Sequence, residues 1–98
     1  MKGGPVKKIS CGIIGCGSVF AKHAEAIRKN RGSELKAVFD IDRARCKAAA
    51  LKYNCEAKAT LSSMFADKTI NVIIVCAPHD IHKKLVLRTI RAGKYAIC

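Results

Sequence analysis

The sequence predicts an α/β fold in which about five parallel strands form a sheet and crossover helices join them. Short apolar runs alternate with longer amphipathic stretches along the chain, which is the pattern of repeated strand–helix units. The strongest run consists of consecutive valines and isoleucines, as in strands buried on both faces. With 98 residues, half of them hydrophobic, the chain suffices for one domain with one core.

The first strand and helix are predicted on either side of a glycine turn. Residues 8–14 are rich in isoleucine and are followed by Gly15, as in a buried strand that enters a tight turn. An apolar stripe with helical spacing comes next, formed by Val19, Phe20, His23, Ala24 and Ile27. Gly32 is expected to end this helix.

The second unit and a short third strand occupy the middle of the chain. Residues 35–39 predict a strand closed by Asp40, and Asp42 is placed to cap a helix over residues 43–53. A short strand is expected near Ala57. Thr60 then resembles the N-cap of a small helix over residues 61–66.

The last two strands flank one helix. Residues 71–77 predict the most apolar strand, which should be central in the sheet and should end at Pro78. The following helix has apolar positions at Ile81, Leu85, Val86 and Ile90, and Gly93 closes it. Residues 95–98 begin a fifth strand. No turn or helix follows, so the sheet is expected to be incomplete at its carboxyl-terminal edge.

The cysteines and the apolar runs indicate the cellular compartment of the protein and whether it binds a metal. None of the six cysteines forms a C-x-x-C pair, and most of them lie in or beside apolar or helix-like stretches, namely Cys11, Cys16, Cys46 and Cys76. This pattern predicts free core thiols in a cytoplasmic protein and no metal site. No apolar run approaches the roughly 20 residues that a membrane span needs.

The net charge of +12 raises the possibility of a nucleic-acid partner. However, the 19 lysines and arginines are spread over the whole chain, and no aromatic RNA-recognition motif is present. The preferred interpretation is therefore a basic surface suited to an anionic cofactor, or the ordinary compositional bias of one proteome. Binding of a nucleic acid or an acidic partner is kept as the alternative.

The most informative segment is Gly12-Ile-Ile-Gly15-Cys16-Gly17-Ser18-Val19-Phe20, between a predicted strand and a predicted helix. In a dinucleotide-binding turn, one glycine makes the turn and the next lets the backbone approach the pyrophosphate, whose charge the helix amino terminus stabilises. Gly15 and Gly17 suit these two roles. Phe20 replaces the third glycine of the usual fingerprint, which is a departure from it.

Asp40 has the spacing of an acid that binds the adenosine ribose. It follows Gly17 by about the twenty-odd residues expected and ends the second strand. The alternative is an acid that caps a helix or lies on the surface. A carboxylate here repels a ribose 2'-phosphate and favours NAD over NADP, although the nearby Arg43 and Arg45 leave that preference open.

A third cluster, Cys76-Ala77-Pro78-His79-Asp80-Ile81-His82, directly follows the strongest strand and should border a ligand bound at the carboxyl edge of the sheet. A histidine here can move a proton or orient a sugar hydroxyl. The structural alternative, in which His79 and His82 cap the helix or pack beside it, is at least as well supported.

Together these motifs resemble the glucose–fructose oxidoreductase, inositol dehydrogenase and rhizopine-catabolism family over nearly the whole chain. The resemblance extends to Arg45 and to the segment Ala92-Gly93-Lys94-Tyr95-Ala96-Ile97-Cys98. The resemblance implies a Rossmann-type domain that binds NAD(P) and belongs to an oxidoreductase acting on sugars, cyclitols or nucleotide sugars. The positions that it assigns to the cofactor are Gly15, Cys16, Gly17, Ser18, Val19, Asp40, Arg45, Ala77, Pro78 and His82.

The same resemblance implies that the catalytic residues lie outside residues 1–98. Members of the family continue with Glu-Lys-Pro after the position of Cys98 and then add a substrate domain. We therefore expect residues 1–98 to be the amino-terminal part of a dinucleotide-binding domain that is inactive alone. A stand-alone nucleotide sensor that pairs its fifth strand with a second copy remains a further alternative.

Overall fold

The structure, a computed structural model, describes residues 8–98 and confirms the predicted class, a five-stranded parallel sheet with helices on both faces. The elements follow in the order β1 (Ile9–Ile14), α1 (Phe20–Lys29), β2 (Ser33–Phe39), α2 (Arg43–Tyr53), β3 (Glu56–Ala57), α3 (Leu61–Ala66), β4 (Val72–Val75), α4 (His79–Arg91) and β5 (Tyr95–Ile97).

The strand order is β3-β2-β1-β4-β5 and every pairing is parallel. β1 is the middle strand. The interior position predicted for β4 is confirmed, since it pairs with β1 on one side and β5 on the other. The chain leaves β1 towards β2 on one side and later returns to β4 on the other, and such a reversal opens a crevice at the carboxyl ends of the strands.

The sheet is covered on both faces, which explains its continuous apolar runs. On one face α1 and α2 contribute Phe20, Ala24, Ile27, Cys46, Ala49 and Ala50 to a cluster with Ile13, Val38 and Ile74. On the other face Met64 of α3 and Leu85 of α4 pack on Ile14, Phe39, Ile73 and Val75. The alternating sides of consecutive residues in β4 therefore fill two separate cores.

Three of the predicted helix boundaries are confirmed in detail. The Asp42 side chain accepts a hydrogen bond from Arg45 N at 3.1 Å and caps α2. Thr60 and Ser63 form a reciprocal capping box at the start of α3. Gly93 has φ +78° after α4, the left-handed conformation expected of a glycine that ends a helix.

Gly32 does not end α1, contrary to prediction. The helix stops at Lys29, and Asn30 has the extended conformation. The Asn30 side chain then accepts a hydrogen bond from Gly32 N at 2.7 Å. An asparagine side chain therefore supplies the local acceptor, and no left-handed glycine is used.

Two predicted apolar stripes are partly wrong. Val19 precedes α1 and is 51% exposed, so the buried stripe begins at Phe20. In α4, Ile81 and Ile90 face outward, whereas Thr89 is fully buried. Thr89 satisfies its hydroxyl by donating to Leu85 O at 2.8 Å, one turn back in its own helix. Threonine counts as a polar residue in a hydrophobicity pattern, so the pattern does not predict that this position is buried.

A nearly buried ion pair joins the segment after β3 to the end of α3. Lys58 Nζ lies 2.8 Å from Asp67 Oδ2 and 3.1 Å from a carboxylate oxygen of the exposed Glu56. Asp67 also accepts hydrogen bonds from the backbone and hydroxyl of Thr69. These contacts hold the pKa of Asp67 well below its usual range, chiefly through the hydrogen bond from Lys58.

All six cysteines are free thiols, and the predicted core packing holds for the three that are buried, Cys11, Cys16 and Cys46. Cys55 and Cys76 are half-buried and pack against the same core. Cys98 is exposed, contrary to the expectation for a core thiol. Between residues 8 and 98, no helix has both the length and the apolar character that crossing a bilayer requires.

Candidate functional site

Gly15 makes the turn after β1 and brings it against the end of β4. Its φ is +100°, and a Cβ placed there would lie 2.7 Å from the carbonyl oxygen of Cys76. Its N–H donates to Phe39 O at 2.8 Å. A side chain is therefore excluded both by conformation and by space. The carboxyl ends of β1, β2 and β4 meet at this glycine.

Gly17 has the opposite surroundings. A Cβ on Gly17 would meet only Arg45 Nη1, at 3.8 Å. The residue is exposed, so its lack of a side chain leaves open space above the turn. Gly15 is thus required by the turn, as the sequence predicts. Gly17 adjoins open space, and its approach to a pyrophosphate stays a prediction.

The carboxylate of Asp40 points into the turn. Its Oδ2 accepts from Cys16 N at 2.7 Å and its Oδ1 accepts from Asp42 N at 2.8 Å. The residue is 7% exposed. It is neither a surface acid nor the cap of α2, which is Asp42, so both alternatives named for it are excluded. The acid predicted to meet a ribose also fixes the backbone of the glycine turn.

Arg45 lies beside this carboxylate. Its guanidinium is 3.8 Å from Asp40 Oδ2 and 3.9 Å from Asp42 Oδ2. Sequence reasoning assigned Asp42 only to the helix cap, and its second role as a neighbour of Arg45 was missed. The D-x-D-x-x-R spacing is the signal that could have shown it, because residues three apart at the start of a helix share a face.

No side chain compensates the positive end of the helix dipole at the amino terminus of α1 in the described residues. Within residues 8–98, the backbone N–H groups of Gly17, Ser18 and Val19 donate to no protein acceptor. Val19 supplies no side-chain cap, and no acidic residue occurs in the first turn of α1. Free N–H groups and the positive end of the helix dipole attract an anion to this position.

Phe20, which replaces the third glycine of the fingerprint, is part of the core. It is 5% exposed, and its ring meets Tyr53 of α2 edge-on, with 5.4 Å between centroids. The substitution therefore fills the space between α1 and α2 and leaves the outer face of the turn free. The departure from the fingerprint does not obstruct the site.

The loop between β4 and α4 borders the same turn. Ala77 N lies 3.3 Å from the position that a Cβ on Gly15 would take. Pro78 is the N-cap of α4 and forms no side-chain cap. His79 is exposed, His82 is half-buried, and no hydrogen bond involves either imidazole in the described part of the chain. Neither imidazole therefore caps α4, whereas the half-buried His82 agrees with the alternative that it packs beside the helix.

Cys16 contributes its backbone to the turn and its thiol to the core. Burial, together with nearby Cys46 and Asp40, raises the pKa of Cys16 to about 12. Burial likewise raises the pKa of Cys55 to about 11. A thiol that stays protonated is a poor nucleophile, so Cys16 is structural despite its central place in the turn.

Two cavities lie at the opposite end of the sheet, and neither adjoins the glycine turn. One, of about 570 Å³, is lined in part by Asn71, Lys94 and Tyr95, and the other, of about 270 Å³, by Ser33 and Glu34 among others. Both lie at the amino ends of strands, whereas ligands of open parallel sheets bind at the carboxyl ends. Across residues 8–98, no three acidic, histidine or cysteine side chains are grouped to hold a metal.

Comparison with known proteins agrees with the fold. Residues 9–98 match the profile of a family described as "Oxidoreductase family, NAD-binding Rossmann fold". Among the relatives, inositol 2-dehydrogenase of Rhizobium meliloti strain 1021 is 36% identical over 89% of the chain and 26% of its own length. The same enzyme of Salmonella typhimurium strain LT2 is 31% identical over 92% of the chain and 28% of its own length.

Solved structures give the same result. The WlbA dehydrogenase of Chromobacterium violaceum, determined with NADH and UDP-GlcNAcA, has a TM-score of 0.87 and 30% identity over 92% of the chain and 26% of its own. The chain thus spans about a quarter of the length of the relatives it matches. It belongs to the glucose–fructose oxidoreductase, inositol dehydrogenase and rhizopine-catabolism family of oxidoreductases and carries that family's NAD-binding Rossmann fold.

Proposed function

We propose that the chain is the cofactor-binding part of an NAD(P)-dependent oxidoreductase and that the dinucleotide lies across the Gly15–Gly17 turn. The observation that carries the proposal is the group of free N–H donors at Gly17, Ser18 and Val19 above an open glycine. The pyrophosphate is the ligand group whose charge suits these donors and the positive end of α1.

The remaining cofactor contacts follow from the positions around the turn. Asp40, at the end of β2, accepts hydrogen bonds from the ribose through lone pairs not used by Cys16 N and Asp42 N. Arg45 faces the same region. Ala77, Pro78 and His82, at the end of β4 and the start of α4, flank the nicotinamide half of the molecule.

We propose that the substrate is a sugar, a cyclitol or a nucleotide sugar, from which hydride passes to the nicotinamide. Support comes from the relatives, which include inositol 2-dehydrogenases and a dehydrogenase solved with NADH and UDP-GlcNAcA. Since the chain covers about a quarter of their length, the substrate-binding and catalytic residues are assigned to polypeptide outside residues 1–98. We place the protein in the cytoplasm because its cysteines are free.

Titration with NADH, followed by cofactor fluorescence or calorimetry, tests cofactor binding. The wild-type chain is expected to bind NADH. Gly17→Asp should weaken binding by about tenfold or more, because the aspartate repels the negative pyrophosphate and fills the open space. Lys47→Ala, an exposed change on α2, is the control and should bind as the wild type does.

Failure of the folded chain to bind NADH at millimolar concentration contradicts the proposal. A salt-dependent affinity for DNA or RNA that neither NADH nor Gly17→Asp alters would favour the basic binding module instead.

The edge of the sheet at β5 is a further contact surface. Tyr95 is 78% exposed and Ile97 is 48% exposed on a strand that pairs only with β4 in the described chain. We propose that this edge pairs with another strand, and that in isolated residues 1–98 a second copy provides it.

A further inference from the structure

The larger of the two cavities, a groove at the amino ends of β4 and β5, has no part in the proposed function. Its volume is about 570 Å³, and it lies between the segment that follows α3 and the turn that follows α4. Open parallel sheets bind their cofactors at the other end, so the groove is not a second cofactor position. A Cβ placed on Gly93, on the wall of the groove, would meet no atom within 4 Å.

Lys94 places a half-buried ammonium group on this groove. Its Nζ donates to the carbonyl oxygens of Asp67 at 2.6 Å and Ile70 at 2.9 Å. An ammonium group has three N–H donors, so one of them is left over. Burial lowers the pKa of Lys94 below its ordinary value despite the nearby Asp67, so the positive charge is incompletely compensated.

The groove itself supplies no carboxylate for this charge. Among the described residues that line it, none is acidic. The Asp67 carboxylate lies 2.8 Å from Lys58 Nζ and accepts hydrogen bonds from Thr69, so it is occupied elsewhere. Lys68, also on the wall, is exposed and forms no ion pair in the described chain. The groove therefore has a net positive charge and suits an anion.

Two aromatic side chains give the same groove an apolar part. Phe65 and Tyr95 both line it, and Tyr95 is 78% exposed. The guanidinium carbon of Arg88 lies 4.5 Å from the centre of the Phe65 ring and adds positive charge beside the groove. The Asn71 side chain accepts from Ser10 N at 2.9 Å, whereas its own amide N–H groups donate to no acceptor between residues 8 and 98. The groove thus combines cations, free donors and aromatic surface.

We propose that this groove is a second ligand site and that it binds a small organic acid with a flat ring, such as an aryl carboxylate or an aryl phosphate. The acid group lies against the ammonium groups of Lys94 and Lys68, and the ring lies against the aromatic side chains. The site shares no residue with the glycine turn. It therefore stands or falls independently of the proposed cofactor function.

Titration of the ¹⁵N-labelled chain with phenyl phosphate, followed by amide chemical shifts, tests the site. The Gly17→Asp variant is used beside the wild type, because it disfavours an anion at the glycine turn and leaves the groove unchanged. In both proteins the amide signals of Gly93 and Lys94 are expected to shift and to saturate at millimolar phenyl phosphate. Phenol and inorganic phosphate, which each carry half of the ligand, should bind more weakly by about tenfold or more.

Three variants separate the groove from a general effect of charge. Lys68→Ala should weaken phenyl phosphate binding by about threefold or more, and Lys94→Gln by about tenfold or more, because each loses a cationic donor to the acid group. Lys83→Ala removes the same charge from an exposed position of α4 outside the groove and should leave binding unchanged. Thermal melting shows whether each variant is folded. Lys68→Ala keeps the test decisive if Lys94→Gln does not fold, since Lys68 makes no structural contact that the variant would lose.

Three outcomes overturn the inference. The first is a folded chain in which phenyl phosphate causes no saturable shift at Gly93 and Lys94. The second is phenol or inorganic phosphate binding as tightly as phenyl phosphate, since one half of the ligand would then contribute nothing. The third is an equal loss of affinity in Lys68→Ala and Lys83→Ala, which would reduce the effect to overall charge.

Discussion

At the scale of single residues, two glycines of the same turn serve different purposes. A methyl group on Gly15 would collide with the Cys76 carbonyl, whereas one on Gly17 would have open space. The sequence motif treats both as parts of one fingerprint. Only the structure separates the glycine whose turn excludes a side chain from the glycine beside open space, which we propose serves binding.

Gly15→Ala and Gly17→Ala form a matched pair that measures this difference. Gly15→Ala is expected to lower the free energy of unfolding by about 2 kcal/mol or more, because alanine is strained at positive φ and its Cβ meets backbone. Gly17→Ala should leave stability nearly unchanged and weaken NADH binding. Urea unfolding and NADH titration of both variants give the two quantities. Equal losses of stability would show that Gly17 is also structural.

The sequence identified the turn and its acid but not the direction in which the acid points. The spacing from Gly17 to Asp40 places the carboxylate at the right end of β2. Its hydrogen bond to Cys16 N joins residues 24 positions apart and depends on how β1 and β2 are registered. Hydrophobic periodicity does not specify that register, and it therefore could not reveal that the Asp40 carboxylate accepts a hydrogen bond from Cys16 N.

At the scale of elements, capping chemistry was more informative than apolar spacing. Asp42 and Thr60 were found because a side-chain oxygen just before a helix accepts hydrogen bonds from the free backbone N–H groups of its first turn. Val19 and Ile90 were misplaced because spacing alone leaves the rotation of a helix uncertain by about one residue, roughly 100°. The strands were predictable because those buried on both faces have no polar side.

The ion pair between Lys58 and Asp67 gives the contact between α3 and β3 a dependence on pH. Because the pKa of Asp67 is lower in the folded chain than in the unfolded chain, the stabilisation is complete above the unfolded value near 4 and is lost as the pH falls through the folded value. Acid should therefore destabilise the wild type progressively below about pH 4.

Asp67→Asn tests this assignment. It is expected to lower the free energy of unfolding at pH 7 by about 3 kcal/mol, since Lys58 is nearly buried and keeps only Glu56 as a partner. The variant should also show a flatter loss of stability in acid. Urea midpoints between pH 7 and pH 2 provide the measurement. An acid limb as steep as that of the wild type would place the responsible carboxyl elsewhere.

At the scale of the whole molecule, the exposed surface of β5 predicts association between copies. Tyr95→Lys should reduce concentration-dependent association, because a charge on an edge strand opposes pairing with another strand. Leu51→Lys, at an exposed apolar position on α2, is the control and should have no effect. Sedimentation velocity over a concentration series measures both. A wild type that stays monomeric throughout would rule out the pairing between copies.

The strand order also determines when the sheet can close during synthesis. β1 is the middle strand, yet its partners in β4 begin about sixty residues later, where Cys11 pairs with Val72. At ordinary translation rates this separation corresponds to about 3–12 s. During that time one side of an apolar central strand has no neighbour. Slower translation of the segment before β4 should therefore increase aggregation of the nascent chain, and a holdase chaperone that binds β1 should reduce it.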